Sequence, residues 1–152
     1  MNLPRTILVP TDFSESAEYA LDYAVQLAGK LDAKILLLNA IGAPALGIPE
    51  LGIAVTSTMM ESLVKSNSEA LDKLATSKQP AKIETLLRSG DARDVIVLAA
   101  EELAADLIVM GTHGRRGFRR ALLGSVAEGV VRAAPCPVLT IRQPQNSVAK
   151  AG

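Results

Sequence analysis

Two clusters of residues in this chain have types and spacings suited to holding a small anionic molecule. The larger runs from Gly111 to Val126. Gly111 and Gly114 let the backbone approach a ligand closely and adopt positive φ, and Gly124 with Ser125 stands where a helix would open. The free N–H groups and dipole of such a helix start favour phosphate. Between these glycines lie His113, Arg115, Arg116, Arg119 and Arg120, the densest basic cluster in the chain. The planar fork of an arginine suits phosphate oxygens. The second cluster is Pro10-Thr11-Asp12. Its carboxylate is placed either to contact a ligand or to brace the following helix, although Ser14 is better placed to cap that helix.

Positioning both clusters requires alternating strands and helices. Thr6-Ile7-Leu8-Val9 is a continuous apolar run ended by Pro10, the pattern of a strand buried on both faces. Ser14 then caps a helix in which Ala17, Ala20, Leu21, Ala24, Leu27 and Ala28 recur at helical spacing, with Gly29 marking its end. Lys34–Ala40 reads as a second buried strand. The stretch Ile41–Val55 carries three Gly and two Pro and shows neither period, which suits a binding loop or lid. Thr58 and Glu61 fit a capping box opening a helix with Leu63, Val64, Asn67, Ala70, Leu71 and Leu74 on one face. Lys82–Leu87 mixes polar and apolar residues as a sheet-edge strand would. Asp91 caps a helix carrying Val95, Ile96, Ala99, Ala100 and Leu103, and Asp106–Met110 is a fourth strand. Ser125 and Glu128 fit another capping box, for a helix running to about Arg132, and Val138–Ile141 is the last strand. The order βα, βα, βα, βα, β predicts an α/β domain, an open parallel sheet with helices on both faces. Residues 1–143 are expected to form this one domain, and residues 144–152 are expected to form a flexible tail. In such sheets ligands bind outside the carboxyl ends of the strands, where the strand order reverses. Both clusters sit at such ends.

The bulk composition removes several classes of function. Sixteen basic residues balance sixteen acidic ones, and the Arg run is not part of a broad basic face, which argues against a nucleic-acid partner. Cys136 is the only cysteine, so there is no internal disulfide framework. The most apolar stretch, Ile35–Ile53, is broken by Asn39, Pro44, Pro49 and Glu50 and cannot span a bilayer. The opening residues lack the regions of a signal peptide. A cytoplasmic protein without membrane contact is expected. His113, the only histidine, has no carboxylate or cysteine neighbours in sequence and makes no metal site. It can donate to a phosphate or simply sit in the turn.

The spacing Gly111-x2-Gly114-x9-Gly124-Ser125 resembles the signature of the nucleotide-binding branch of the universal stress protein family. Ile7–Ala17 (ILVPTDFSESA), Asp106–Gly114 (DLIVMGTHG) and Leu122–Arg142 resemble that family as well. The resemblance implies a Rossmann-like sheet in the order 3-2-1-4-5, ATP binding (AMP or ADP remaining open) with Mg²⁺ accompanying the nucleotide, little or no hydrolysis, and a homodimer paired through Val138–Ile141. By position, Asp12 would contact the ribose or adenine end, with Pro10 and Thr11 beside it, and Ala40 would give backbone contacts to adenine. Gly111, Gly114, Gly124, Ser125 and Val126 would hold the phosphates, with His113 and Arg115 nearby and Met110 lining the floor. Two departures stand out. Asn39-Ala40 replaces a frequent His-Val, and Arg116 replaces a small hydroxyl residue.

Two other readings compete with a nucleotide-dependent regulator. A slow ATPase or phosphotransferase would need an acid to hold metal and a base near the γ-phosphate. Only Asp12 and His113 offer themselves, and there is no Walker lysine motif. A dimeric interaction module without nucleotide would not need the glycine signature. The downstream protein partner is not legible in the residues. Independently of any family, Val138–Ile141 is an apolar edge strand and calls for a partner.

Overall fold

The computed structural model describes residues 2–42, 52–113 and 123–144. Five strands, β1 (Thr6–Pro10), β2 (Lys34–Ile41), β3 (Ile83–Ser89), β4 (Leu107–Gly111) and β5 (Val138–Ile141), alternate with α1 (Glu15–Leu31), α2 (Gly52–Ser77), α3 (Ala92–Glu102) and α4 (Ser125–Ala133). All pairings are parallel and the sheet order is β3-β2-β1-β4-β5. β1 and β4 are therefore neighbours, in the register Ile7↔Leu107 and Leu8↔Ile108.

The period of two in the strands sorts the aliphatic residues into two cores. Ile7, Val9, Ile35, Leu37, Leu107 and Val109 face α1 and α2, where Leu21, Ala24 and Leu71 meet them. Leu8, Leu36, Leu38, Ile108 and Met110 face α3 and α4, against Ile96, Ala99, Ala127 and Val130. The central strands are buried on both sides, so their sequences are continuous apolar runs. β3 lies at one edge and is only half buried, in line with its mixed composition.

Three helix ends differ from the sequence expectation, each for a local reason. α1 continues through Gly29 to Leu31, which packs against the first core. The left-handed residue that ends it is Asp32 (φ 51), whose N–H bonds the Ala28 carbonyl and whose carboxylate reaches Lys82 Nζ at 2.9 Å. α2 begins at Gly52 rather than at Thr58. No Gly or Pro occurs between Ile53 and Ser77, so nothing stops the helix at Thr58, and a hydroxyl inside a helix need not end it. The third misplacement is at Ser125. The caps at Ser14 and Asp91 form as expected, the side chains accepting from the N–H groups of Ala17 and Asp94. Of the expected Ile41–Val55 loop, residues 43–51 lie outside the described residues. Residues 145–152 of the expected tail do too.

Asp106, immediately before β4, ties the start of β1 to the sheet. Its Oδ2 accepts from the backbone N–H of Arg5 and of Thr6, both at 2.9 Å. Those two donors hold its carboxyl below the usual carboxylate range. A depressed folded pKa stabilises the fold above the unfolded value of ~3.9 and loses that contribution as pH falls through the folded value. Urea unfolding over a pH series is therefore expected to show the chain more stable than Asp106→Asn near neutral pH, with the gap closing below about pH 4. A gap independent of pH would contradict the assignment. Among the described residues no helix is long and apolar enough to cross a membrane.

Candidate functional site

The carboxyl ends of β1 and β4 open onto one crevice. At the β1 end the chain turns sharply. Thr11 donates its N–H to the Leu38 carbonyl at 2.8 Å, and its own Oγ1 accepts from the Phe13 N–H at 3.0 Å. Asp12 Oδ1 accepts from the Ser14 N–H at 2.9 Å. Phe13 adopts a left-handed conformation, φ 63, unusual for a bulky residue. Its side chain packs against the first core. The turn thus presents Asp12 beside the crevice while Ser14, and not Asp12, caps α1.

At the β4 end, Thr112 is buried, its Oγ1 lies 2.9 Å from His113 Nδ1, and its carbonyl accepts from the Gly124 N–H at 2.6 Å. That last bond brings the two ends of the intervening segment together and sets the start of α4 against the crevice. Gly124 is the N-cap, in extended geometry (φ −69, ψ 165), and its carbonyl accepts from the Glu128 N–H. Ser125 is accordingly the first helical residue. The expected capping box between Ser125 and Glu128 does not form, because the cap lies one residue earlier. Glu128 pairs with Arg132 at 3.0 Å instead. The first-turn N–H groups of α4 have no partner within the helix, and a glycine cap offers them no side chain.

Between these ends lies a cavity of about 530 Å³, a size usual for small-molecule sites. Pro10, Thr11 and Asp12 line one side, and Ala40 of β2 lines another. Met110, Gly111 and His113 come from the β4 end, and Gly124, Ser125 and Val126 from the start of α4. All the expected site residues that the structure describes thus border one space. Gly114 and Arg115 lie outside the described residues, as do Arg116, Arg119 and Arg120.

Other lining residues were not singled out by the sequence. Ala92 and Ile96 of α3 form a wall, with Leu38, Ala17, Thr112, Leu123, Ala127 and Glu128 completing the surface. Thr112 sits inside a turn already marked, and Leu38 shares a strand face with Ala40. The α3 wall belongs to no motif, and only the assignment of α3 to this face of the sheet could have found it. The result is a slot with apolar walls (Leu38, Ala40, Ile96, Met110) ending at a helix start rich in free N–H groups. That pairing suits a flat apolar ring joined to an anion. Among the described residues, no group of three or more His, Cys, Asp or Glu could hold a metal ion.

Gly111 has a role that its place in the motif did not suggest. A Cβ there would stand 2.5 Å from Ser16 Oγ and 2.9 Å from the Ser16 carbonyl oxygen. The glycine is required by the close approach of α1 to the end of β4.

An open parallel sheet with a cavity at its switch point, between β1 and β4, is the architecture of Rossmann-like α/β proteins. The model of the universal stress protein family matches residues 4–142, and the chain belongs to that family. It is 37% identical over 148 residues to universal stress protein MJ0531 of Methanocaldococcus jannaschii, covering 95% of this chain and 86% of the relative. Its fold is similar to that of universal stress protein UspA from Lactobacillus plantarum, with a TM-score of 0.76, 29% identity and coverage of 93% and 100% of the two chains. It is also similar to a universal stress protein solved in complex with cAMP, with a TM-score of 0.67, 28% identity and coverage of 92% and 98%.

Proposed function

We propose that the chain is a cytoplasmic stress-response regulator that binds ATP as a homodimer, with little or no hydrolysis. The observation that carries this reading is the single cavity joining an apolar slot at Ala40 to the uncapped start of α4. A similar protein of known structure holds cAMP, an adenine nucleotide. Ala40 and Leu38 border the adenine, Asp12 meets the ribose or adenine end, and Met110 forms the floor. Ser125 and Val126 turn their N–H groups to the phosphates, Gly124 brings the helix start against them through its bond to Thr112, and His113, Gly114 and Arg115 would complete the cradle. Gly111 acts by letting α1 close behind the site.

The described side chains suit a nucleotide that brings Mg²⁺ with it, since they offer no three-ligand site of their own. When bound, the ion would neutralise charge on the phosphate oxygens. Asp12, the acid at the crevice, already spends one oxygen on the Ser14 N–H, which favours holding over turnover. Among the described residues β5 has a neighbour only on its β4 side, and Leu139 and Thr140 are half exposed, which suits pairing with a second copy.

Calorimetric titration tests the reading. Saturable heat is expected for ATP with Mg²⁺, weaker or equal heat for AMP, and negligible phosphate release over hours. No heat with nucleotide at about 1 mM, an interaction weaker than ~4 kcal/mol, rules it out.

A further inference from the structure

Three polar residues are buried among the described ones, Thr11, Asn39 and Thr112. Asn39 takes no part in the cavity wall. It lies on the other face of β2 from Leu38 and Ala40, toward α2. Its Nδ2 donates to the Thr11 carbonyl at 2.8 Å, and its Oδ1 accepts from Asn67 Nδ2 of α2 at 2.9 Å. The direction of this chain is fixed chemically. The Thr11 carbonyl can only accept, so Asn39 must turn its amide nitrogen to it, and Asn67 must then donate to the oxygen left over. The Thr11 N–H is held as well, by Leu38. Both backbone groups of Thr11 are therefore pinned to β2, and one of them is pinned through Asn39 to α2.

What Thr11 holds in turn is the site. Its Oγ1 receives the Phe13 N–H, and the next turn of hydrogen bonding places Asp12. Phe13 sits in a left-handed conformation, which persists only where the surroundings over-determine it. A relay of three hydrogen bonds, Asn67 to Asn39, Asn39 to Thr11 and Phe13 to Thr11, runs from the middle of α2 past the carboxyl end of β2 to the crevice. In the low-dielectric interior such a chain is costly to leave half satisfied.

We propose that the Asn67–Asn39–Thr11 relay makes the Asp12 turn and helix α2 one mechanical unit, so that nucleotide in the crevice is reported on α2. The proposal rests on the nucleotide reading for its signal, but the coupling exists in the ligand-free chain. By linkage, a ligand that tightens the turn protects α2, and loosening α2 weakens the ligand.

Asn67→Asp tests the wiring with almost no change of shape. A carboxylate cannot donate to Asn39, so either that bond is lost or the Asn39 amide flips and sets its oxygen against the Thr11 carbonyl. Asn67→Ala removes the bond outright, and Ser66→Ala, one residue away and exposed, is the control. Amide hydrogen exchange is followed at Phe13, Ser14 and along α2, with and without ATP, together with ATP titration. In both Asn67 variants the Phe13 and Ser14 amides are expected to exchange at least about fivefold faster without ligand, the loss of one net hydrogen bond. ATP affinity falls by a similar factor, and the ATP-induced protection of α2 disappears. Ser66→Ala changes none of these. Should either Asn67 variant keep the wild-type exchange at the turn and the wild-type response of α2, the relay carries nothing and the proposal is overturned. A wild-type chain that binds no ATP would remove the nucleotide reading, while turn exchange in the ligand-free variants would still decide the coupling.

Discussion

Replacing Gly124 by Asp is expected to raise the stability of the chain slightly while weakening ATP binding at least about a hundredfold, or ~2.7 kcal/mol. The two effects have separate causes. Gly124 caps α4 in extended geometry (φ −69, ψ 165), which any residue adopts, so no backbone strain accompanies the change. A glycine cap leaves the first-turn N–H groups of α4 without a side-chain acceptor, and aspartate is among the best caps. The gain over glycine is a few tenths of a kcal/mol, or about 1 °C in Tm for a chain of this size. The same carboxylate then occupies the N–H groups that would hold phosphate and sets a like charge against it. Two such charges 4 Å apart near a protein surface repel by about 4 kcal/mol. Gly124→Asn separates the components, because it caps as well but adds no charge, and a smaller loss is expected. Thermal scans and calorimetric titration of both variants provide the check. Wild-type affinity in Gly124→Asp would place the phosphates elsewhere than the start of α4.

That glycine also shows what could be read from residues alone. The alternation of strands and helices was legible because buried parallel strands write themselves as unbroken apolar runs ending in turn residues. The strand order, and with it the meeting of Asp12 with Gly111 and the start of α4 at one crevice, was instead implied by the family resemblance. Helix ends were less legible. Gly29, Thr58 and Ser125 each have the chemistry of a cap, yet none is one. A cap is set by which backbone group is left unpaired once the helix has packed, and several nearby residues could have met that need. At α1, packing of Leu31 extends the helix past its glycine. At α4, the bond from Gly124 N–H to the Thr112 carbonyl fixes the start one residue early. The α3 wall of the cavity was invisible for another reason. Ala92 and Ile96 are ordinary helix residues, and they become site residues only because α3 covers the same sheet face as Ala40. The Asn39–Asn67 contact joins two residues 28 positions apart, a pairing no local pattern announces.

A methyl group at Gly111 is expected to destabilise the fold by about 2–3 kcal/mol, the upper part of the range for overpacking a tight contact. The Cβ would meet three atoms of Ser16, its Oγ and both atoms of its carbonyl, and they differ in how far they can yield. Ser16 Oγ, at 2.5 Å, is the end of a short side chain, whereas the Ser16 carbonyl oxygen, at 2.9 Å, is part of the first turn of α1. Rotating or deleting the hydroxyl answers the first clash but not the second, so α1 itself must move off β4. That hydroxyl is buried without a hydrogen-bond partner, so Ser16→Ala alone should cost nothing or stabilise slightly. The pair Gly111→Ala with Ser16→Ala is then expected to recover part of the loss, but not all of it, in a double-mutant cycle read by urea unfolding. Gly29→Ala supplies the contrast. Gly29 lies inside α1 with nothing within 4 Å of an added Cβ, and alanine there should stabilise by about 0.5–1 kcal/mol through helix propensity. Opposite signs at two glycines separate conformational freedom from close approach. Equal, small effects at both would mean that α1 does not bear on the end of β4, and that Gly111 is a glycine for the sake of the ligand alone.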